Sequence, residues 1–266
     1  MKIAARLALF LMYFALQSAD FSNAALASNN GGNSGSKTAQ AVYEQAEADY
    51  VLERNEAAFT GFDRACTGGI MMACHKAGQM VLDGKSGAKG TARRERAKPY
   101  FQKSCDSEML ESCFKLAGSS FTLTKRERAL AFAGLCKRNY GPACDKLARL
   151  LFYDREAEPE AKKAAITFFA LACDLSVAKA CQSLSTIYGI GRDVPKDDRK
   201  ARNFRRLGCE AGSISACGML KGMQLFGKGG PKDRDGYSRT NARIAKLCKA
   251  LPAADPYKGK GFCSQY

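Results

Sequence analysis

The chain has 266 residues, a formal charge of +16, twelve cysteines, one histidine and no tryptophan. Its hydrophobic content of 46% is typical of a globular protein and too high for a disordered one. A single histidine disfavours His-based metal sites and catalytic triads. Twelve cysteines would suggest metal binding in a reducing cytosol, although a C-x-x-C motif is absent, and six disulfides in an oxidising compartment. The compartment therefore has to be decided first.

Residues 1–27 have the pattern of a secretory signal peptide. Lys2 and Arg6 precede the apolar run 7–16, and an Ala-Leu-Ala cleavage pattern begins at Ala25, before Ser28. Cleavage after Ala24 and an uncleaved N-terminal anchor are the alternatives. The apolar run is too short to cross a bilayer. We therefore expect an exported protein, periplasmic or secreted, without a transmembrane segment.

Residues 28–39 are predicted to be a flexible linker, because nine of these twelve residues are Ser, Asn or Gly. The folded part is expected over residues 40–266. Its first segment, residues 42–62, is acidic and lacks a preceding cysteine pair, which is typical of a solvated helix that caps the N-terminal end of a repeat array.

The cysteines are regularly spaced. Five consecutive pairs share the spacing C-x7-C, and their first members lie 39, 31, 37, 36 and 39 residues apart. A fixed spacing at a period near 36 residues indicates tandem repeats. The pairs, with a sixth of wider spacing, are Cys66 and Cys74, Cys105 and Cys113, Cys136 and Cys144, Cys173 and Cys181, Cys209 and Cys217, and Cys248 and Cys263.

The spacing predicts a turn within each bonded pair. Residues eight apart on one helix are separated by about 12 Å, whereas a disulfide needs Cα atoms roughly 4.4–6.8 Å apart. Turn-forming residues between the cysteines agree with a reversal of the chain. The flanks show helical periodicity, with an apolar residue three positions after each second cysteine and a small residue just before it. The apolar residues are Ala77, Leu116, Leu147, Leu184 and Leu220, and the small ones are Ala73, Ser112, Ala143, Ala180 and Ala216.

The predicted fold is therefore an all-α, α/α solenoid of five to six disulfide-linked helix-turn-helix repeats. A competing connectivity joins each helix start to the end of its hairpin partner, as in Cys74 with Cys105. That scheme leaves Cys66 and Cys263 single at opposite ends of the repeats. The C-x7-C scheme leaves no cysteine single if Cys248 closes on Cys263, and we favour it.

Two loops resemble those of the Sel-one-like repeat, a relative of the tetratricopeptide repeat. The better match begins at Tyr188 and reads Tyr-Gly-Ile-Gly-Arg-Asp-Val-Pro-Lys-Asp, followed by Ala201; a weaker copy begins at Phe226. The cysteine pairs resemble the bacterial cysteine-rich branch of that family, whose C-x7-C pairs are disulfides between adjacent helices. The resemblance covers residues of about 60 to 250, and departs after Cys113 and Cys144, where the Gly/Pro loop is missing.

Members of that branch are described as β-lactamase-like or penicillin-binding, so the resemblance implies β-lactam hydrolysis as an alternative function. The residues do not support it. A Ser-x-x-Lys pattern occurs at Ser34 with Lys37 and at Ser176 with Lys179, as chance predicts, and Ser-Asp-Asn and Lys-Thr-Gly are absent. Ser176 is expected to be a helix N-cap. We assign no catalytic, cofactor-binding or metal residues, and expect His75 to be a partly exposed structural residue.

The favoured function is that of a monomeric exported adaptor. Repeats without catalytic residues present a helical surface to a protein, peptide or anionic envelope ligand, and no nucleic-acid partner is expected. The predicted groove is lined by the helices that begin at the second cysteine of each pair. Basic residues of one helix form a predicted binding stripe, with a solvated outer face as the alternative: Arg199, Arg202, Arg205 and Arg206.

Overall fold

The computed structural model describes residues 32–266, except residues 88, 91, 120–122, 192, 254 and 256–257, with side chains from residue 38 onwards. The predicted signal peptide lies outside the described residues. The described part contains twelve α-helices, one short 3₁₀ helix at Gly261–Cys263 and no strand. The helices are α1 Gly32–Val51, α2 Asn55–Thr67, α3 Met71–Leu82, α4 Ala92–Asp106, α5 Leu110–Ser119, α6 Lys125–Lys137, α7 Gly141–Phe152, α8 Pro159–Asp174, α9 Ala178–Ile190, α10 Asp198–Glu210, α11 Ile214–Phe226 and α12 Arg234–Ala250.

The residues form two compact units, one ending at Tyr100 and the other running from Phe101 to Tyr266. In the first unit, α1 packs on α2 and α2 on α3. In the second unit, each helix from α5 to α12 packs against the next one along the chain. The all-α, α/α solenoid class predicted from the cysteine spacing and the helical periodicity is confirmed. None of the described helices is both long and apolar enough to cross a membrane.

Every C-x7-C segment contains the same turn. The residue three positions after the first cysteine has a positive φ, between 58° and 94°. Its N–H donates to the carbonyl of that cysteine, and the next N–H donates to the carbonyl of the residue before the cysteine. This pair of bonds is the Schellman motif, which ends a helix through one left-handed residue. The five left-handed residues are Gly69, Glu108, Asn139, Ser176 and Gly212.

All twelve cysteines form disulfides. The five C-x7-C bridges hold Cα atoms 4.5–4.8 Å apart across the turn, and Cys248–Cys263 holds them 5.5 Å apart. The small residue before the second cysteine of each C-x7-C pair is completely buried. A larger side chain there would separate the two helices that the bridge joins. The five C-x7-C bridges are Cys66–Cys74, Cys105–Cys113, Cys136–Cys144, Cys173–Cys181 and Cys209–Cys217.

The two loops that carry the family resemblance have the same local structure. Gly191 and Gly227 end α9 and α11 with φ of 75° and 74°. Asp197 and Asp233 then cap α10 and α12, their carboxylates accepting backbone N–H bonds of 2.8 Å and 2.7 Å from Lys200 and Gly236. An aspartate at this position satisfies an N–H group that has no partner within the helix.

The N-terminal region differs from the sequence expectation in two respects. Helix α1 begins at Gly32, inside the predicted linker, and Ala39 is buried. The acidic segment 42–62 is not one helix, because α1 ends at Val51 and α2 begins at Asn55. The left-handed residue Glu53, with φ of 58°, makes the break. Helix α1 gains a packing partner by this reversal, since α2 then folds back against it.

Candidate functional site

A groove in the second unit lies between α9 and α11, with α10 as its floor. It encloses about 340 Å³, within the range of small ligand pockets. Helix α9 provides Ser185, Thr186, Gly189 and Ile190; α10 provides Asp198, Ala201 and Arg205; α11 and the loop after it provide Met219, Met223 and Lys228. The groove lies where α10 packs against both α9 and α11.

The floor of the groove follows from the spacing of residues on α10. Ala201 and Arg205 are four apart and therefore share one helical face. Ala201 is small and buried, and Gly189 of α9 lies opposite it, where an added Cβ would be in ordinary van der Waals contact, 3.7 Å from the Cβ of Ala201. Asp197 begins α10 by accepting the Lys200 N–H. The position of Arg205 is thus set by the cap and by close helix packing.

Arg205 is the only buried lysine or arginine in the described part of the chain, with 7% of its surface exposed. Its Nη2 donates to Oγ1 of Thr186 at 3.4 Å, and its Nη1 has no hydrogen-bond partner among the described residues. Burial lowers the pKa of its guanidinium, because a low-dielectric environment disfavours the charged form. The groove floor therefore carries a positive charge with an unused donor.

The other three arginines of the predicted stripe lie in different environments. Arg199 is exposed. Arg202 donates from Nη1 to the Pro231 carbonyl at 2.8 Å and so holds the loop after α11. Arg206 is exposed and donates from Nη1 to both carboxylate oxygens of Glu210 at 2.7 Å.

The four arginines therefore do not share one solvent-facing surface, because Arg199 and Arg206 are exposed while Arg205 is buried. Consecutive helical residues point about 100° apart, so Arg205 and Arg206 cannot share a face. Repeat alignment gives the signal that identifies Arg205: Phe62, Phe101, Phe132 and Phe169 occupy the same position, four residues before the first cysteine of a pair.

One acidic residue also lines the groove. Asp198 Oδ2 lies 3.4 Å from Nζ of Lys196, and its Oδ1 lies 3.7 Å from Nζ of Lys228. These two ammonium groups offset the charge of the carboxylate. Asp198 does not form an ion pair with Arg205 within 4.0 Å. The net positive charge on the floor of the groove therefore comes from Arg205.

Large apolar side chains are exposed at one repeat position along the second unit. Tyr153, Ile190 and Phe226 each lie nine residues after the second cysteine of a pair, where α7, α9 and α11 end. Their exposed fractions are 59%, 67% and 77%. We call these three residues the apolar row. Ile190 also lines the groove, so the row and the groove adjoin at the end of α9.

A larger cavity lies in the first unit between α1 and α2, with a volume of about 760 Å³. Two of its charged wall residues, Asp49 and Arg54, are paired, with Arg54 Nη1 3.4 Å from Asp49 Oδ1. Gln45 Nε2 also donates to Oδ2 of Asp49, at 3.4 Å. The groove is the stronger candidate, because a buried guanidinium with an unused donor lies on its floor.

The serine, lysine and histidine residues that were considered as catalytic or ligand residues occupy ordinary positions in the helices and turns. Ser176 is exposed and has a φ of 62°, so it is the left-handed residue of its turn. The N-cap of α9 is Val177. The expectation that Ser176 is the N-cap is therefore wrong. Lys179 is exposed on α9. His75 lies in α3 next to the bridge Cys66–Cys74 and is buried, at 7% exposure, so the expectation of partial exposure is wrong. Ser34 and Lys37 lie outside the side chains that the structure describes.

No group of three His, Cys, Asp or Glu side chains suited to a metal ion occurs among the residues with described coordinates.

The fold is similar to those of bacterial Sel1 repeat proteins. A Sel1 repeat protein from Oxalobacter formigenes superposes with a TM-score of 0.61 at 19% identity, over 79% of this chain and 88% of that one. The protein c5321, a protective antigen of uropathogenic Escherichia coli with an SLR fold, gives 0.55 at 17% identity, over 87% and 56%. Immunity protein Pa5087 from Pseudomonas aeruginosa gives 0.53 at 18% identity, over 79% and 82%.

No protein-family model and no curated protein sequence matches the chain. The similarity is therefore one of fold, at sequence identities below 20%. A shared fold does not fix a function, which has to be argued from the site.

Proposed function

We propose that the chain is an exported repeat scaffold that binds a segment of a partner protein along the second unit. The observation that carries the proposal is the apolar row, in which successive repeats expose a large apolar side chain at the same position. A single exposed apolar residue is ordinary on a protein surface. Repetition at the structural period instead forms an extended contact line, as helical repeat proteins use in binding.

Export is supported by the use of cysteine. All twelve cysteines are bridged, and disulfides persist in oxidising compartments rather than in a reducing cytosol. The bridges join adjacent helices rather than distant parts of the chain, so they hold a thin repeat array that has little core per repeat. Such a scaffold suits the cell envelope or the extracellular space.

The partner segment is expected to be apolar and acidic. Burying an exposed side chain of this size contributes about 1.5–3 kcal/mol before the costs of association, so the three residues of the apolar row can anchor a segment. The chain carries a formal charge of +16, which favours encounter with a negatively charged partner. Lys228 and Arg205 bring that charge to the groove beside Ile190.

Site-specific photo-crosslinking tests the proposal. A photoreactive residue at Phe226 is expected to capture a partner from envelope extract under oxidising conditions, in a saturable manner. The matched control is the same residue at Leu130, which is 65% exposed on α6 but lies outside the row. Capture from both positions alike, or from neither, would contradict the proposal.

A triple variant provides a second measurement. Changing Tyr153, Ile190 and Phe226 to serine is expected to abolish capture from a photoreactive residue at Met219, which lies in the adjoining groove. Circular dichroism and thermal unfolding are expected to change little, because the three side chains are exposed. Undiminished capture with an intact fold would show that the row takes no part in binding.

A further inference from the structure

The residue four positions before the first cysteine of a pair is a core residue throughout the chain. Phenylalanine occupies it in four repeats, at Phe62, Phe101, Phe132 and Phe169, each no more than 4% exposed. Ile244 occupies it before Cys248 and is fully buried. Only before Cys209 is the residue charged, and there Arg205 takes the place of a buried aromatic ring. A charge at a core position costs stability unless it is paired.

The preceding repeat contains an arginine whose charge is paired. Arg149 of α7 lies over the ring of Phe169, 5.8 Å from its centroid. Its charge is paired, since Nε donates to Oδ2 of Asp145 at 2.8 Å, and its Nη2 donates to Oγ of Ser183 at 3.1 Å.

The next repeat places the charge differently. The residues equivalent to Arg149 and Asp145 are Thr186 and Gln182, and the residue equivalent to Phe169 is Arg205. This repeat therefore carries its arginine at the buried position on the groove floor, and it has Gln182 where the preceding repeat has the aspartate that pairs with Arg149. The hydroxyl of Thr186 is the acceptor that remains, at 3.4 Å.

We propose that Arg205 recognises a carboxylate of the bound partner segment, which enters the groove between α9 and α11. This inference rests on the proposed function and names the chemistry of the partner. A carboxylate supplies both the missing acceptor and the missing negative charge, and a guanidinium binds it with charge-assisted hydrogen bonds. The carboxylate comes from an acidic side chain or from the end of the partner chain.

The walls of the groove determine which residues of the partner segment fit next to that carboxylate. Ile190, Met219 and Met223 provide apolar surface beside the guanidinium, and methionine side chains adapt to irregular partners. The low-dielectric surroundings strengthen an ion pair once water is displaced. We expect the recognised sequence to be an acidic residue flanked by aliphatic ones.

Peptide probes test this inference on the full oxidised chain. The probes are acetyl-Ala-Leu-Glu-Leu-Ala-amide, its Gln counterpart, and acetyl-Ala-Leu-Gln-Leu-Ala with a free terminal carboxylate. Binding is followed by NMR of the arginine Nε–Hε groups. We expect a carboxylate probe to bind about tenfold or more tightly than the uncharged amide, with a saturable shift of the Arg205 resonance. The two carboxylate probes separate an acidic side chain from a chain terminus.

Two variants separate recognition from folding. Arg205→Phe restores the residue found at this position in the other repeats, so it is expected to raise the melting temperature by a few degrees and to abolish the preference for a carboxylate. Arg199→Gln removes one exposed charge from the same helix and is expected to leave the preference unchanged.

A carboxylate introduced into the groove by substitution gives an independent test of the inference. Met219→Glu places an acid at the groove, and it is expected to raise the melting temperature relative to Met219→Gln and to weaken binding of the acidic probe. Equal binding of the acidic and amide probes, or a preference that persists in Arg205→Phe, would overturn the inference. Crosslinking from Phe226 that persists in Arg205→Phe would leave the proposed function standing, so the two failures are distinguishable.

Discussion

At the scale of single residues, a half-buried tyrosine hydrogen bond makes the stability of the first unit depend on pH. The Tyr100 hydroxyl donates to Oδ1 of Asp63 at 2.6 Å, tying the end of that unit to α2. Burial, and then this bond and the Asp63 charge, raise the pKa of Tyr100 to about 12. The bond requires the protonated phenol, so the folded state holds its proton more tightly than the unfolded state does.

Alkaline titration checks this assignment. The stabilisation from Tyr100 is expected to be complete below pH 10, the ordinary tyrosine pKa, and to be lost as the pH rises through about 12. Ultraviolet absorbance of the oxidised protein should show late-ionising tyrosines, and Tyr100→Phe should remove one of them. Tyr153→Phe should leave that late step unchanged, because its hydroxyl takes no part in this bond. A late step unaffected by Tyr100→Phe would refute the assignment.

At the scale of elements, the recurring turn has a backbone requirement that outweighs side-chain identity. Gly212 has a φ of 90°, and a Cβ added there would meet no atom within 4 Å. Gly212→Ala is therefore expected to cost about 1 kcal/mol of unfolding free energy, purely from the left-handed conformation.

The matched control lies in the following helix, where Gly222 of α11 also has open space around it. Gly222→Ala is expected to stabilise the protein by up to about 1 kcal/mol, because alanine is the better helix former. Urea unfolding of the two variants measures both effects. Changes of the same sign would show that the turn does not impose the left-handed conformation.

The sequence predicts the positions of the recurring turns, but it does not predict which side chains of a helix are buried. The turn positions followed from the C-x7-C spacing, because a short covalent bridge leaves few geometries for seven intervening residues. The break between α1 and α2 at Glu53 did not follow from any sequence pattern, since a non-glycine left-handed residue has no reliable sequence signature. The burial of Arg205 beside an exposed Arg206 depends on how α10 packs against α9 and α11, and only alignment with the phenylalanines of the other repeats reveals it.

At the scale of the whole molecule, stability is expected to be local to each repeat. Each C-x7-C bridge closes a loop of about nine residues and contributes roughly 2.5 kcal/mol in the chain-entropy description. Helices of the second unit contact mainly their neighbours in sequence, so the loss of a bridge acts on adjacent helices first.

Removal of individual bridges tests this local behaviour. Replacing Cys173 and Cys181 by alanine, in the middle of the second unit, should lower stability by about 2–3 kcal/mol and accelerate hydrogen exchange in α8 and α9. Replacing Cys248 and Cys263 should accelerate exchange in α12 and in the residues after it, and spare α8. Uniform acceleration in both variants would indicate a single cooperative unit instead.

The order of the disulfides has a consequence for biogenesis. The twelve cysteines pair in sequence order, the first with the second, the third with the fourth and so on, so no bridge encloses another and none needs a distant segment. A polypeptide that crosses a membrane from its N-terminal end presents its thiols in the order in which they pair. Oxidation of each new thiol with the one just before it produces the native set, and the chain can complete its cross-links during translocation without later exchange between them.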